Sequence, residues 1–397
     1  MASSLTWLDH DSAARDRSLR VLALFREKES RDELGIGSIR DGIADILFPG
    51  TSTIQTRLRY MLLVPWMYRE LESRRLAPAA FSLESRKFEL SMVEPLLNSQ
   101  ERGVFGAQSK GELKRLPSSV YWAGLRTWGI RTFDGSQSDY FRSAQALVLK
   151  QAAHRRKEDD DVDPNPALTT WHLGLPAAPA GFPTKVSMKV QPDEARYLRD
   201  RIATSCPESL LSWLVLYGQP DECGEPWLHH QLGAFPNQAR ELLEHGRILS
   251  DVVEGAAWLY NVCLADKRQD EALSQSHREG LEQWRQRVSL PDIKKWNLNA
   301  LWDVLASRGH SVSSSTRSFV ADWTARLTAT RGELAEDDSA RELIERRERT
   351  LKKSRSRFTN RGALNQWGGS SGLNRLVYRW PTTNGFLADL LPALRRG

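Results

Sequence analysis

Apolar residues recur along this chain mostly at helical spacing, and alternating runs are few. Over residues 11–28 (DSAARDRSLRVLALFREK), Leu19, Val21, Leu22, Leu24 and Phe25 sit among charges, which predicts a helix with one apolar face behind an Asp9 or Asp11 cap. After the break at Gly35-Ile36-Gly37, residues 38–47 place Ile39, Ile43, Ile46 and Leu47 on one face, so two helices about a glycine turn are expected. The stretch 48–68 (FPGTSTIQTRLRYMLLVPWMY) joins a Pro-Gly turn, the hydroxyls of Thr51, Ser52 and Thr53, paired arginines and a run that is apolar on every side. It predicts a capped helix start followed by a buried helix, kinked or ended at Pro65.

Further along, residues 69–98 form helices separated at Ala77-Pro78, and 100–110 form a polar loop. Residues 111–133 (GELKRLPSSVYWAGLRTWGIRTF) have the order helix, turn, helix, short strand, which is that of a winged-helix module. In that arrangement Arg126 and Arg131 face DNA, while Tyr121, Trp122, Leu125 and Trp128 supply core. Residues 154–166 swing from basic to acidic and 175–183 are rich in Pro, Ala and Gly, the composition of a linker. A strand is expected over 184–190, and helical patterns over 192–202, 235–262, 277–287, 293–308 and 315–329; 209–217 fits a buried helix or strand. The fold class is therefore mainly α with minor β and multi-domain, with a winged-helix-like unit in the N-terminal half. The expected divisions are an N-terminal helical domain at 1–157, a linker at 158–185, a helical middle domain at 186–335 and a basic segment at 336–397.

Composition changes this picture in three places. The formal charge of +6 is modest and its signs are interspersed, so only local clusters argue for a polyanionic partner. The strongest is 346–361 (RRERTLKKSRSRFTNR), with eight Lys or Arg against Glu348. Pairing with Glu342, Glu345 and Glu348 neutralises its first half and leaves 352–361 uncompensated. Lys352, Lys353, Arg355, Arg357 and Arg361 are accordingly the expected nucleic-acid contacts, with Trp367, Tyr378 and Trp380 close behind for stacking. Second, fourteen tryptophans predict aromatic cores. Third, three cysteines without a CxxC pair, and no apolar leader or membrane-length run, lead to the expectation of a reduced, cytoplasmic protein without membrane association.

The candidate chemistry is sparse. The N-terminus of the helix expected at Thr51, Ser52 and Thr53, with Arg57 one turn on, has the free N–H groups and dipole of an anion or phosphate site. GxxxxGK[ST], GxSxG and HExxH are absent. Cys206, Cys223, His229 and His230 share a region, but their spacing matches no zinc site, so neither a metal nor a cofactor is expected. The acidic run 158–163 reads as solvated linker. Asp292-Ile293-Lys294 resembles one end of a metal-dependent nuclease site without a partner acid. Arg240 and His245, an Arg-x4-His pair about 140° apart around a helix, supply the enzyme alternative, a metal-independent ribonuclease.

Residues 31–68, with the strings GIGSIRD and FPGTSTIQTR, resemble the N-terminal signature of an uncharacterised bacterial family defined only as a domain of unknown function. Tyr121-Trp122, Trp128-Gly129-Ile130 and the ending WGGSSGLNRLVYRW (367–380) carry the same resemblance. It implies a setting near helicases and phospholipase-D-like nucleases in anti-phage defence neighbourhoods, and carries over no catalytic residue. The expectation is a non-enzymatic, DNA-associated subunit of a multi-protein prokaryotic defence system, with nucleic acid and nearby helicase or nuclease subunits as partners. A purely structural protein–protein adaptor is the other alternative.

Overall fold

The computed structural model describes residues 32–99, 101–107, 115–157 and 169–396. The helix expected over 11–28 and the acidic run 158–163 lie outside the described residues. The structure is 64% helix and 1% strand, with no sheet among the described residues. In chain order the helices are α1 (Gly37–Leu47), α2 (Tyr60–Ser73), α3 (Pro78–Ser91), α4 (Val93–Asn98), α5 (Pro117–Thr127), α6 (Gln137–Lys157), α7 (Pro192–Ser205), α8 (Leu210–Tyr217), α9 (Asn237–Arg268), α10 (Glu271–Arg287), α11 (Leu290–Lys295), α12 (Leu298–Ser307), α13 (Ser314–Ala329), α14 (Asp338–Lys352), α15 (Arg361–Asn365) and α16 (Trp380–Leu394).

β structure among the described residues is one isolated antiparallel bridge, Arg131 to Trp171. No hairpin is present there to act as a wing. The strand expected over 184–190 does not form either. Its carbonyls bond side chains instead of a neighbouring strand: the Ser187 carbonyl accepts from the Arg59 guanidinium (2.8 Å) and the Val190 carbonyl from Arg396 (3.3 Å).

The described chain divides into two compact units. Unit A groups 32–42 with His245–Leu376, and unit B groups Ile43–Glu244 with 377–396. Stretches that follow one another in the sequence reading are thus interleaved.

In unit B, α2 packs against α3, α5 and α6, and α16 packs on α7 and α8. Every residue from Tyr60 to Tyr68 is buried, as the unbroken apolar run requires. The helix begins at Tyr60 rather than at Thr51, and it continues through Pro65 to Ser73. Tyr68 anchors an aromatic cluster, stacked on Trp171 (5.7 Å, 10°) and Phe81 (6.1 Å, 10°) and met edge-on by Tyr140 (5.1 Å). Such rings carry a large share of the apolar area removed from water.

Unit A is built on two helices whose tryptophans fit each other's glycines. Trp284 of α10 lies over Gly255, where a Cβ would come within 2.4 Å of the ring, and Trp258 of α9 lies over Gly280 at the same 2.4 Å. Any larger residue at either position pushes the helices apart. The indole N–H groups of Trp284 and Trp323 then donate to the α9 carbonyls of Asp251 and Val252 (2.9 Å each). By length and hydropathy α9 could cross a membrane, but 89% of its apolar window is buried in the protein itself. The GGSSG segment at 368–372 is fastened down: Asn261 on α9 exchanges two hydrogen bonds with the backbone of Ser371 (2.7 and 2.8 Å), and the His277 Nε2 meets the Gly369 carbonyl at 2.8 Å.

Candidate nucleic-acid interface

α14 starts at Asp337, whose carboxylate caps the Ala340 N–H at 2.7 Å, and is strongly amphipathic. Leu343, Ile344, Arg347, Glu348 and Lys352 are buried, whereas Arg346 and Arg349, at i and i+3, line the exposed side of the helix, and Lys353 is exposed at its C-cap. Arg355 and Arg361 are exposed just beyond. Glu345 pairs with Arg349, while Arg346, Lys353 and Arg361 have no carboxylate partner among the described residues.

The basic segment therefore splits by role. The buried Arg347 reaches the Leu34 and Gly35 carbonyls (2.9 and 3.1 Å) and lies over Phe319, which ties α14 to the glycine break before α1. Lys352 faces Glu33 at 3.1 Å. Arg357 bonds Glu33 (2.9 Å), the Tyr260 hydroxyl (3.0 Å) and Ser371 Oγ (3.1 Å). Glu348 turns the chain by accepting from Ser356 Oγ and the Arg357 N–H. Lys352 and Arg357, chosen from sequence as DNA contacts, hold unit A together; Lys353, Arg355 and Arg361 face solvent.

In unit B the FPGTSTIQTR stretch satisfies its own polar groups. Thr51 caps the end of the preceding helix through the Phe48 carbonyl (2.6 Å), and the Ser52 N–H is taken by Gln55 Oε1 (2.9 Å). The Thr56 and Arg57 N–H groups both donate to the Tyr121 hydroxyl (2.9 and 3.1 Å), which donates back to the Arg57 carbonyl at 2.8 Å. Thr53 is exposed. The anion expected beside Arg57 is the protein's own Asp389: its carboxylate takes the Arg57 guanidinium (2.8 to 3.1 Å) and the Leu58 N–H (3.0 Å). Arg59 forms a buried bidentate pair with Glu194. At the other end of the signature, Arg379 binds Asp45 (2.6 Å) and the Thr51 carbonyl (2.9 Å).

Arg126 is 46% exposed and 3.6 Å from Asp134. Arg131 is buried; it lies 4.3 Å over the Trp122 ring and donates to the Trp122, Phe133 and Gly135 carbonyls. Burial lowers its pKa to about 10. It is a staple of the turn after α5. Arg240 bonds Asn237, and the His245 Nδ1 accepts the Trp296 indole N–H at 2.9 Å. Asp292 is engaged by Arg247 (2.7 Å), which also reaches Asp251 (3.5 Å). Asp251 and Glu254 are in turn covered by Arg287 and Arg375, so this acid group is neutralised from all sides.

Sequence patterning gave no sign of two buried carboxylates in unit B. Glu89 on α3 has no basic partner in hydrogen-bond contact; it accepts from the Ser118 N–H (2.8 Å) and Oγ (2.6 Å), and burial raises its pKa to about 7. Glu72 collects the Tyr140 hydroxyl (2.5 Å), the Thr170 hydroxyl (2.6 Å) and the Trp171 indole N–H (3.2 Å), and its pKa is also raised by desolvation. The loop before α9 likewise assembles a group the spacing concealed. Asp221, His229 and His230 come together, while Cys206 lies elsewhere with its thiol toward the Thr127 carbonyl.

These features define a mainly helical protein with a basic exposed stripe on one of its units. The chain belongs to a family of unknown function, DUF6361, whose model matches residues 2–393. No curated protein and no solved structure matches it.

Proposed function

We propose that this chain is a non-enzymatic, DNA-associated subunit of a multi-protein prokaryotic anti-phage defence system, working in the cytoplasm with helicase or nuclease subunits encoded nearby. The observation that carries the reading is the stripe of Arg346, Lys353, Arg355 and Arg361 on the outer side of α14 and just past it, held against unit A by Lys352 and Arg357 beneath. Exposed cations on a helix and the turns that follow it contact phosphates without sequence preference, and the counterions released from the DNA make binding steeply salt-dependent. Fluorescence anisotropy with labelled duplex DNA tests this. Binding that weakens with salt, and is lost when the four exposed residues become alanine, is expected; no binding at low salt overturns the proposal.

A second observation supports a partner surface in the same role. Leu216 (45% exposed) and Tyr217 (64%) at the end of α8 and Leu228 (63%) in the loop after it are exposed large apolar residues, a concentration that suits contact with another protein. The adaptor reading rests on it, and co-purification with a partner by a chain that has no affinity for DNA favours that reading.

A further inference from the structure

We infer that the loop between α8 and α9 is a binding site for a single zinc-class divalent ion, with Asp221, His229 and His230 as its protein ligands. One donor atom from each lies within 4.8 Å of the other two. The His230 Nδ1 is 2.5 Å and the His229 Nδ1 3.8 Å from the same oxygen, Asp221 Oδ2. Around an ion with bonds of about 2.1 Å, tetrahedral ligands stand about 3.4 Å apart, so the two separations bracket the required value. Imidazole nitrogen and carboxylate oxygen together suit zinc and its neighbours better than magnesium or calcium.

The donors are held in place by the surrounding structure. The Asp221 carboxylate accepts the Cys223 and His230 N–H groups (2.7 and 2.8 Å), and its backbone carbonyl accepts the Asn384 amide at 2.7 Å. The Trp380 indole N–H donates to the Cys223 carbonyl (2.8 Å), and its ring packs edge-on against His229 at 5.8 Å. Asn384 and Trp380 belong to α16, so the end of the chain braces this loop. The side chain of His229 is fully buried and its ring stacks on His230 at 4.8 Å; His230 is 49% exposed and leaves one side of the group open.

Binding replaces two contacts. The His230 Nδ1 proton held against Asp221 Oδ2 leaves to solvent as Nε2 takes one up, so that the neutral ring binds through Nδ1, and the Gln231 N–H, which donates to His229 Nδ1 at 3.1 Å, gives up that lone pair to the ion. With three protein ligands the fourth position is left to water, the pattern of an accessible rather than a closed zinc site.

The test uses the full chain, stripped with a chelator and dialysed, and titrated with Zn2+ against a chromophoric competitor. One equivalent bound is expected, with at least a tenfold loss of affinity in both His230→Ala and His230→Gln and unchanged affinity in His310→Ala. Because His230 is exposed, its variants should keep the circular dichroism and metal-free melting of the parent. No stoichiometric uptake by the parent chain, or equal affinity in the His230 variants, overturns the assignment.

Discussion

Glu89 offers a quantitative check on the interior of unit B. It is buried to 3% exposure, accepts from the Ser118 N–H and hydroxyl, and has its pKa raised from the ordinary 4.5 to about 7. The folded protein therefore holds a proton that the unfolded chain has lost between those two values. The resulting stability is fully present below the unfolded pKa and is lost as pH rises through 7. Between pH of about 5 and about 8 the loss amounts to about 2 to 3 kcal/mol. Glu89→Gln removes the titration and keeps the shape, and Glu72, whose pKa is raised in both proteins, cancels in the comparison. Urea unfolding of parent and variant, followed by tryptophan fluorescence across that range, should show the parent losing this advantage over the variant as the solution becomes basic. A stability difference that stays level with pH, or one that grows in the parent's favour, refutes the reasoning.

Two further substitutions separate support from contact. Tyr121→Phe strands the Thr56 and Arg57 N–H groups and the Arg57 carbonyl, so it should destabilise by about 2 to 4 kcal/mol in urea; a change under about 1 kcal/mol contradicts the role given to this hydroxyl. Arg357→Ala should lower the melting temperature through loss of Glu33, Tyr260 and Ser371, at about 1 to 3 kcal/mol, yet leave the salt dependence of DNA binding unchanged below the transition.

The helices were largely legible in the sequence because burial leaves a periodic trace. The apolar run after Arg59 and the mixed pattern of α9 and α10 each reported their own surroundings. What could not be read is where polar groups find partners. Thr51 and Ser52 have the chemistry of a helix start, but a cap depends on the residues after it being helical, and here Thr51 closes the preceding turn. Lys352 and Lys353 are identical neighbours, and only the fold decides that the first meets Glu33 while the second faces water. Glu89 stands in a stretch of ordinary surface composition, with nothing local to mark it as buried. Asp221 joins His229 and His230 through a loop that is braced from α16, so spacing along the chain concealed the group.

The most direct measurement is the slope of log affinity for duplex DNA against log salt, in the parent chain and in the variant carrying alanine at Arg346, Lys353, Arg355 and Arg361. Each lost phosphate contact lowers the slope by about 0.9, so the account predicts a drop of about 3 to 4 with folding intact. An unchanged slope, or a parent chain that does not bind DNA at low salt, contradicts it.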